Sequence, residues 1–105
     1  MAKSLKRSEV IDLITEAPHL ARKRTNISLI ESIAASTLVN IRYRKIETNR
    51  IIQRIIEPYE FKKEGDKIYL YAYDRTGRSR GTKSFLLENI LSAQKQGREF
   101  IPRIF

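Results

Sequence analysis

The 105-residue chain carries 21 lysines and arginines against 12 aspartates and glutamates, a formal charge of +9, with one histidine and neither cysteine nor tryptophan. Without cysteine there is no disulfide framework, thiolate zinc site or thiol nucleophile, and no apolar run approaches the roughly 20 residues of a membrane-spanning helix. The composition, 31% charged and 41% hydrophobic, fits one globular domain, and its positive surplus attracts polyanions, nucleic acid foremost.

Met1 to Val10 alternates charges with single apolar residues and lacks the apolar block of a secretory signal, so a cytoplasmic protein with no membrane contact is expected. Ser8 to Ala17 reads as a helix with Val10, Leu13, Ile14 and Ala17 on one face, Ser8 as N-cap and Pro18 as terminator. His19 to Thr25 is a basic connector containing Arg22, Lys23 and Arg24. A second helix is expected from about Leu29 to Thr37 or Leu38, opened by a Ser28–Glu31 capping box, with Ile30, Ile33, Ala34, Thr37 and Leu38 as its buried stripe.

The period then drops to two. Ile41 to Arg44 predicts a short strand, Glu47 to Asn49 a turn, and Ile51 to Ile56 a strand that Pro58 ends or marks as an edge. Tyr59 to Lys62 is a further short strand, and Glu64-Gly65-Asp66 a hairpin turn. Lys67 to Tyr73 is the clearest strand, with Ile68, Leu70 and Ala72 on one face and Tyr69, Tyr71 and Tyr73 on the other. A polar loop, Asp74 to Gly81, precedes strands at Lys83 to Leu86 and Ile90 to Ala93, and Gly97 breaks the chain before a tail with Phe100, Pro102 and Phe105. The pattern is α+β but mainly β: one or two N-terminal helices, then strands short enough for a small barrel, whose closure removes exposed edges.

Catalytic chemistry has little to stand on. His19 is the one histidine, no nucleophile elbow, phosphate-binding glycine loop or metal-spaced cluster occurs, and Glu57 and Glu60 merely bracket a proline. Neither an enzymatic activity nor a cofactor is expected. The tyrosine ladder is more informative. Aromatic faces accept stacked bases, and Arg75, Arg78, Arg80 and Lys83 follow it to neutralise phosphates; the structural alternative is an amphipathic layer with its rings packed inward. Tyr43, Arg44 and Arg54 extend the same surface if their strands pair. Arg54 interrupts an isoleucine run, so it requires either a ligand or a partner, with Glu47 and Glu57 as the acids at hand.

From Ile27 to Phe105 the chain resembles the WYL family. The strings that carry the resemblance are the helix Leu29–Leu38 leading into Ile41-Arg42-Tyr43, then Arg54-Ile55-Ile56-Glu57-Pro58-Tyr59, then Ile68-Tyr69-Leu70 at the namesake tripeptide, then Lys83-Ser84-Phe85-Leu86-Leu87-Glu88-Asn89-Ile90, and the closing Phe100-Ile101-Pro102. The resemblance implies an Sm-like five-stranded barrel over residues 27–105, with residues 1–26 as a helix and basic connector. It also implies a ligand-sensing or single-strand-binding module of transcription regulators or of phage-defence and CRISPR-associated proteins. Its ligand residues carry over to Tyr69, Lys83 and Phe85, with Tyr43 and Arg54 beside them. The chain departs from the family at Ile68 for tryptophan, at Lys83 for an arginine fork and at Asn89 for a second arginine.

Residues 1–26 are too few for a winged-helix reader, so direct binding or an assembly partner is expected. The expected ligand is single-stranded RNA or DNA or a nucleotide, held by Tyr43, Arg54, Tyr69, Tyr71, Tyr73, Arg75, Arg78, Arg80, Lys83 and Phe85. The alternative is a protein–protein adaptor of a host, phage or plasmid nucleic-acid-processing complex, and the apolar face of the first helix also suits a homodimer.

Overall fold

A computed structural model describes residues 3–16 and 23–103. The elements are β1 (Lys3–Leu5), α1 (Arg7–Glu16), α2 (Lys23–Ala35), β2 (Thr37–Arg44), β3 (Ile51–Glu64), β4 (Lys67–Asp74), β5 (Gly81–Leu86) and β6 (Ile90–Glu99). His19, Pro18, Arg22 and Phe105 lie outside the described residues.

α1 begins one residue before the expected N-cap. The Lys6 N–H donates to Glu9 Oε1 at 3.2 Å, so Glu9 rather than Ser8 caps the first turn. α2 also begins earlier than expected. Thr25 and Asn26 are buried ahead of Leu29, Ile30 and Ser32, extending the core-facing stripe by a turn. The Ser28–Glu31 capping box is therefore absent: Ser28 lies inside α2, and Glu31 pairs instead with Lys95 on β6 at 3.2 Å. α2 ends at Ala35, and Ser36 just beyond it takes the left-handed region at φ 52°. Leu38 is buried as expected, but in β2 and not in the helix.

β3 is one strand of 14 residues where two were expected. Its first half pairs with β2 through Ile56, and its distal half takes β1 at Phe61–Lys63 on that side. Pro58 sits between these ladders, beside a register shift at Pro58/Glu60 in the pairing with β4. A residue without an N–H is tolerated where a neighbouring ladder has lapsed, and the bulge bends the strand. Gly65, at φ 63°, turns β3 into β4 as the hairpin signal predicted. β6 continues past Gly97, which takes φ 68° where the pairing of Thr37–Val39 with Lys95–Glu99 is irregular.

The antiparallel sheet runs β5-β4-β3-β2-β6, with β1 added to β3. Five strands were expected, and β1 makes a sixth. The path does not close, because β5 and β6 form its two ends without a ladder between them; "barrel" holds only loosely. The sheet nevertheless curls. Tyr43 on β2 and Phe85 on β5 are three strand spacings apart, roughly 14 Å on a flat sheet, yet their ring centroids are 5.1 Å apart at an interplanar angle of 82°. Leu86 on β5 donates its N–H to the Tyr43 hydroxyl at 3.1 Å, tying the same two strands. The concave side, with Val39, Ile41, Ile56, Leu70, Ala72 and Ile90, joins Val10 of α1 and Leu29 and Ile30 of α2 in one core. No helix among the described residues is long and apolar enough to cross a membrane.

Candidate functional site

The curl leaves a cleft of about 520 Å³ at the β2–β5 seam. Tyr43 of β2, Ile52 and Arg54 of β3, Tyr69 of β4 and Lys83, Ser84 and Phe85 of β5 line it, with Lys45, Ile46 and Glu47 from the β2–β3 turn and Ser79 from the β4–β5 loop. Alternation puts Lys83 and Phe85 on the concave face and Ser84 and Tyr69 on the convex one, so the cleft straddles the unpaired edge of β5. Tyr43 and Phe85 form its buried aromatic floor. Burial pushes the Tyr43 phenol above its ordinary value, against the opposing effect of the Leu86 N–H bond.

Beneath this lining lies a buried carboxylate. Asp74 is the next residue of the inward alternation Ile68-Leu70-Ala72, and its side chain is wholly buried. Its Oδ2 lies 2.8 Å from Lys83 Nζ and 3.3 Å from Arg54 Nε, and its Oδ1 accepts the Thr76 N–H at 2.8 Å. The Arg54 contact is an ion pair without hydrogen-bond geometry, since Arg54 Nε has no hydrogen-bond partner among the described residues; its Nη1 donates to the Gln53 carbonyl at 2.9 Å. The partner that Arg54 needed is thus Asp74, not Glu47 or Glu57. A lysine ammonium and a guanidinium together carry more N–H donors than one carboxylate can accept, so donors remain for an incoming anion.

The tyrosine ladder occupies the convex face, half-buried. Tyr69 reaches the cleft. Tyr71 lies under Lys62, whose Nζ is 4.2 Å from the ring centroid, and Tyr73 lies under Arg103, whose guanidinium carbon is 3.7 Å from its ring. Tyr73, Arg75, Arg80 and Arg103 line a second hollow of about 90 Å³. Glu57, another buried carboxylate, faces this group. It accepts from Arg103 at 2.9 and 3.1 Å and from the Tyr59 hydroxyl at 2.6 Å, and lies 3.8 Å from Arg75 Nε. Burial, then the bond to Glu57, pushes the Tyr59 phenol up.

Of the ten residues singled out from the sequence, Tyr43, Arg54, Tyr69, Lys83 and Phe85 meet in the cleft, and Tyr73, Arg75 and Arg80 in the smaller hollow. Tyr71 and Arg78 line neither, and Arg78 is exposed on a single 3-10 turn. Ile68 faces the core, so the tryptophan it replaces is not missing from the cleft. Asn89 donates to the Arg44 carbonyl at 2.9 Å, fastening the β5–β6 turn to β2. Glu57 and Glu60 do not form a pair: Glu57 holds Arg103, and Glu60 accepts from Ser4 at 2.6 Å and lies 3.4 Å from Lys62. Among the described residues no three His, Asp or Glu side chains are grouped to hold a metal. Sequence reasoning missed Asp74, whose signal was the alternation continuing one step past Ala72. It also missed Arg103, for which the tail offers none.

The sequence matches the family model of the WYL domain over residues 27–95. Among solved structures the fold is similar to proteasome accessory factor B/C (PafBC) of Arthrobacter aurescens, with a TM-score of 0.68 and 20% sequence identity over 79% of this chain. The match spans 12% of that protein's chain, and at this identity it shows a shared fold. A search of curated proteins gave no match.

Proposed function

This chain belongs to the WYL domain family, and we propose that it is a non-enzymatic binding module that engages single-stranded nucleic acid or a nucleotide in the β2–β5 cleft. WYL domains are found in regulators of transcription and of defence systems, and a regulatory role in a transcription or nuclease complex follows from that company. The observation that carries the proposal is the convergence of Tyr43, Arg54, Tyr69, Lys83 and Phe85 on one cleft from four strands.

In this mechanism Asp74 holds Lys83 and Arg54 at the cleft wall, and a phosphate takes the donors that Asp74 leaves unfilled. Tyr69 offers a stacking face beside them, and the Tyr43–Phe85 floor excludes water from beneath the ligand. Each phosphate so neutralised contributes a slope of about −0.7 in log K against log salt for a single strand. Titration of short RNA and DNA oligomers and of a free nucleotide at two salt concentrations tests the proposal. Binding that weakens with salt is expected, and absence of binding of all three at low salt would refute it.

A further inference from the structure

The smaller hollow beside Glu57 has no part in the cleft, and its lining is purely aromatic and cationic. Arg75, Arg80 and Arg103 surround it together with Tyr73. Among the described residues Glu57 is the carboxylate within ion-pair reach, held by Arg103 and Arg75, so three arginines against one carboxylate leave an excess of two positive charges there. Arg80 makes no ion pair among the described residues and is exposed. The pairing with Glu57 does more than neutralise. It fixes the Arg103 guanidinium by two hydrogen bonds and over the Tyr73 ring, so this wall is ordered before any ligand arrives.

Two features connect the hollow to the cleft. The β4–β5 loop separates them: Ser79 lines the cleft and the next residue, Arg80, lines the hollow, with Cα atoms about 3.8 Å apart. The loop is anchored on β3, where the Ile55 N–H donates to Thr76 Oγ1 at 2.8 Å and the Ile55 carbonyl accepts from Arg75 N–H at 2.9 Å. Along the convex face, β4 carries Tyr69 at the cleft, Tyr71 under Lys62, and Tyr73 at the hollow. Four residues of strand put Tyr69 and Tyr73 about 13 Å apart.

We infer that the Tyr73–Arg75–Arg80–Arg103 hollow is a second anion subsite, which takes a backbone phosphate of a strand whose leading nucleotide lies in the cleft. The inference rests on the binding role proposed above and narrows it: the ligand is an oligonucleotide rather than a mononucleotide. The strand runs along the Tyr69–Tyr71–Tyr73 ladder, and 13 Å corresponds to about four nucleotides at a stacked rise of 3.4 Å, fewer if extended. A free nucleotide fills the cleft alone and cannot reach the hollow.

The test compares the wild type with Arg80→Gln, which removes a cation while leaving the Glu57–Arg103 pair in place. The probes are thymidine 5′-monophosphate and oligothymidylates of graded length, with uridine 5′-monophosphate and oligouridylates of the same lengths as the RNA counterparts. Wild-type affinity should climb with length to about four nucleotides and then level off. Arg80→Gln should leave monophosphate binding unchanged, lower the affinity of the longer oligomers about three- to tenfold at low salt, and reduce their salt slope by about 0.7. Equal oligomer affinity and slope in the two proteins, with monophosphate binding intact, would overturn the second subsite and leave the cleft standing. Failure of the wild type to bind any probe would remove the cleft and the subsite together.

Discussion

Asp74 is where the proposed binding and the stability of the fold pull against each other. Replacing it with asparagine keeps an acceptor for the Thr76 N–H and removes the charge between Lys83 and Arg54. Removing one partner of a fully buried pair costs about 3–5 kcal/mol. Here only the carboxylate is fully buried, while the Lys83 and Arg54 side chains are 36% and 21% exposed. Water reaches the stranded cations, which lowers the expected loss to roughly 2 kcal/mol. For a domain of this size that is a fall of about 8–16 °C in Tm, read by circular dichroism. Binding should move the other way. A unit charge at about 4 Å contributes around 1 kcal/mol in a water-like dielectric, so Asp74→Asn should bind an oligonucleotide about fivefold more tightly at low salt. The gain should shrink as salt is added. Weaker binding by a variant that circular dichroism shows to be folded would refute the reasoning, because the hold of Asp74 on the two cations would then count for more than its competition for their charge. An unchanged Tm would show that the pair has no structural part.

Tyr69→Ala should weaken oligonucleotide binding by about 1–3 kcal/mol through lost stacking, measured by titration, and Arg78→Gln, outside both lined sites, should change it far less. Tyr43→Phe removes the acceptor for the buried Leu86 N–H, and urea unfolding should record a loss of about 1–2 kcal/mol. Tyr43 and Tyr59 both have raised pKa values in the folded chain, chiefly from burial. The folded state therefore keeps protons that the unfolded state releases above about pH 10. The associated stability is fully present below that pH and is lost as pH rises through the folded values. Denaturation midpoints should fall on the alkaline side, and tyrosinate absorbance in the folded chain should lag that of the five tyrosines in urea.

Local signals located most of the sheet. Alternation over Lys67–Tyr73 sorted the inward and outward residues of β4, and Gly65 marked its hairpin. What remained hidden depended on partners distant in sequence. β1 is three residues long and exists because Leu5, Ser4 and Lys3 dock on Phe61, Lys62 and Lys63; no local pattern carries that pairing. Pro58 read as a strand end because its missing N–H is a local fact, whereas the gap between β2 and β1 that excuses it is a tertiary one. The start of α2 was misplaced for the same reason. Ser28 and Glu31 have capping-box spacing, but burial of Thr25 and Asn26 against the core carries the helix a turn further back.

The net charge and the cleft's charge are different quantities. The chain carries +9, but the cleft lines Lys45, Arg54 and Lys83 against Glu47, with Asp74 directly behind, so three cations meet two carboxylates. A local balance of +1 cannot by itself select a polyanion from other anions. The whole-chain field acts over about a Debye length and speeds encounter. Selection falls to what the cleft offers at contact, namely donors held by Asp74 and the Tyr69 face. These two contributions respond differently to salt. Neutralising a surface cation far from both lined sites should slow association and leave dissociation nearly unchanged, whereas truncating Tyr69 should speed dissociation with little effect on association. Stopped-flow titrations separate the two rates, and a Tyr69→Ala variant whose defect lay wholly in association would show that the ring steers rather than holds.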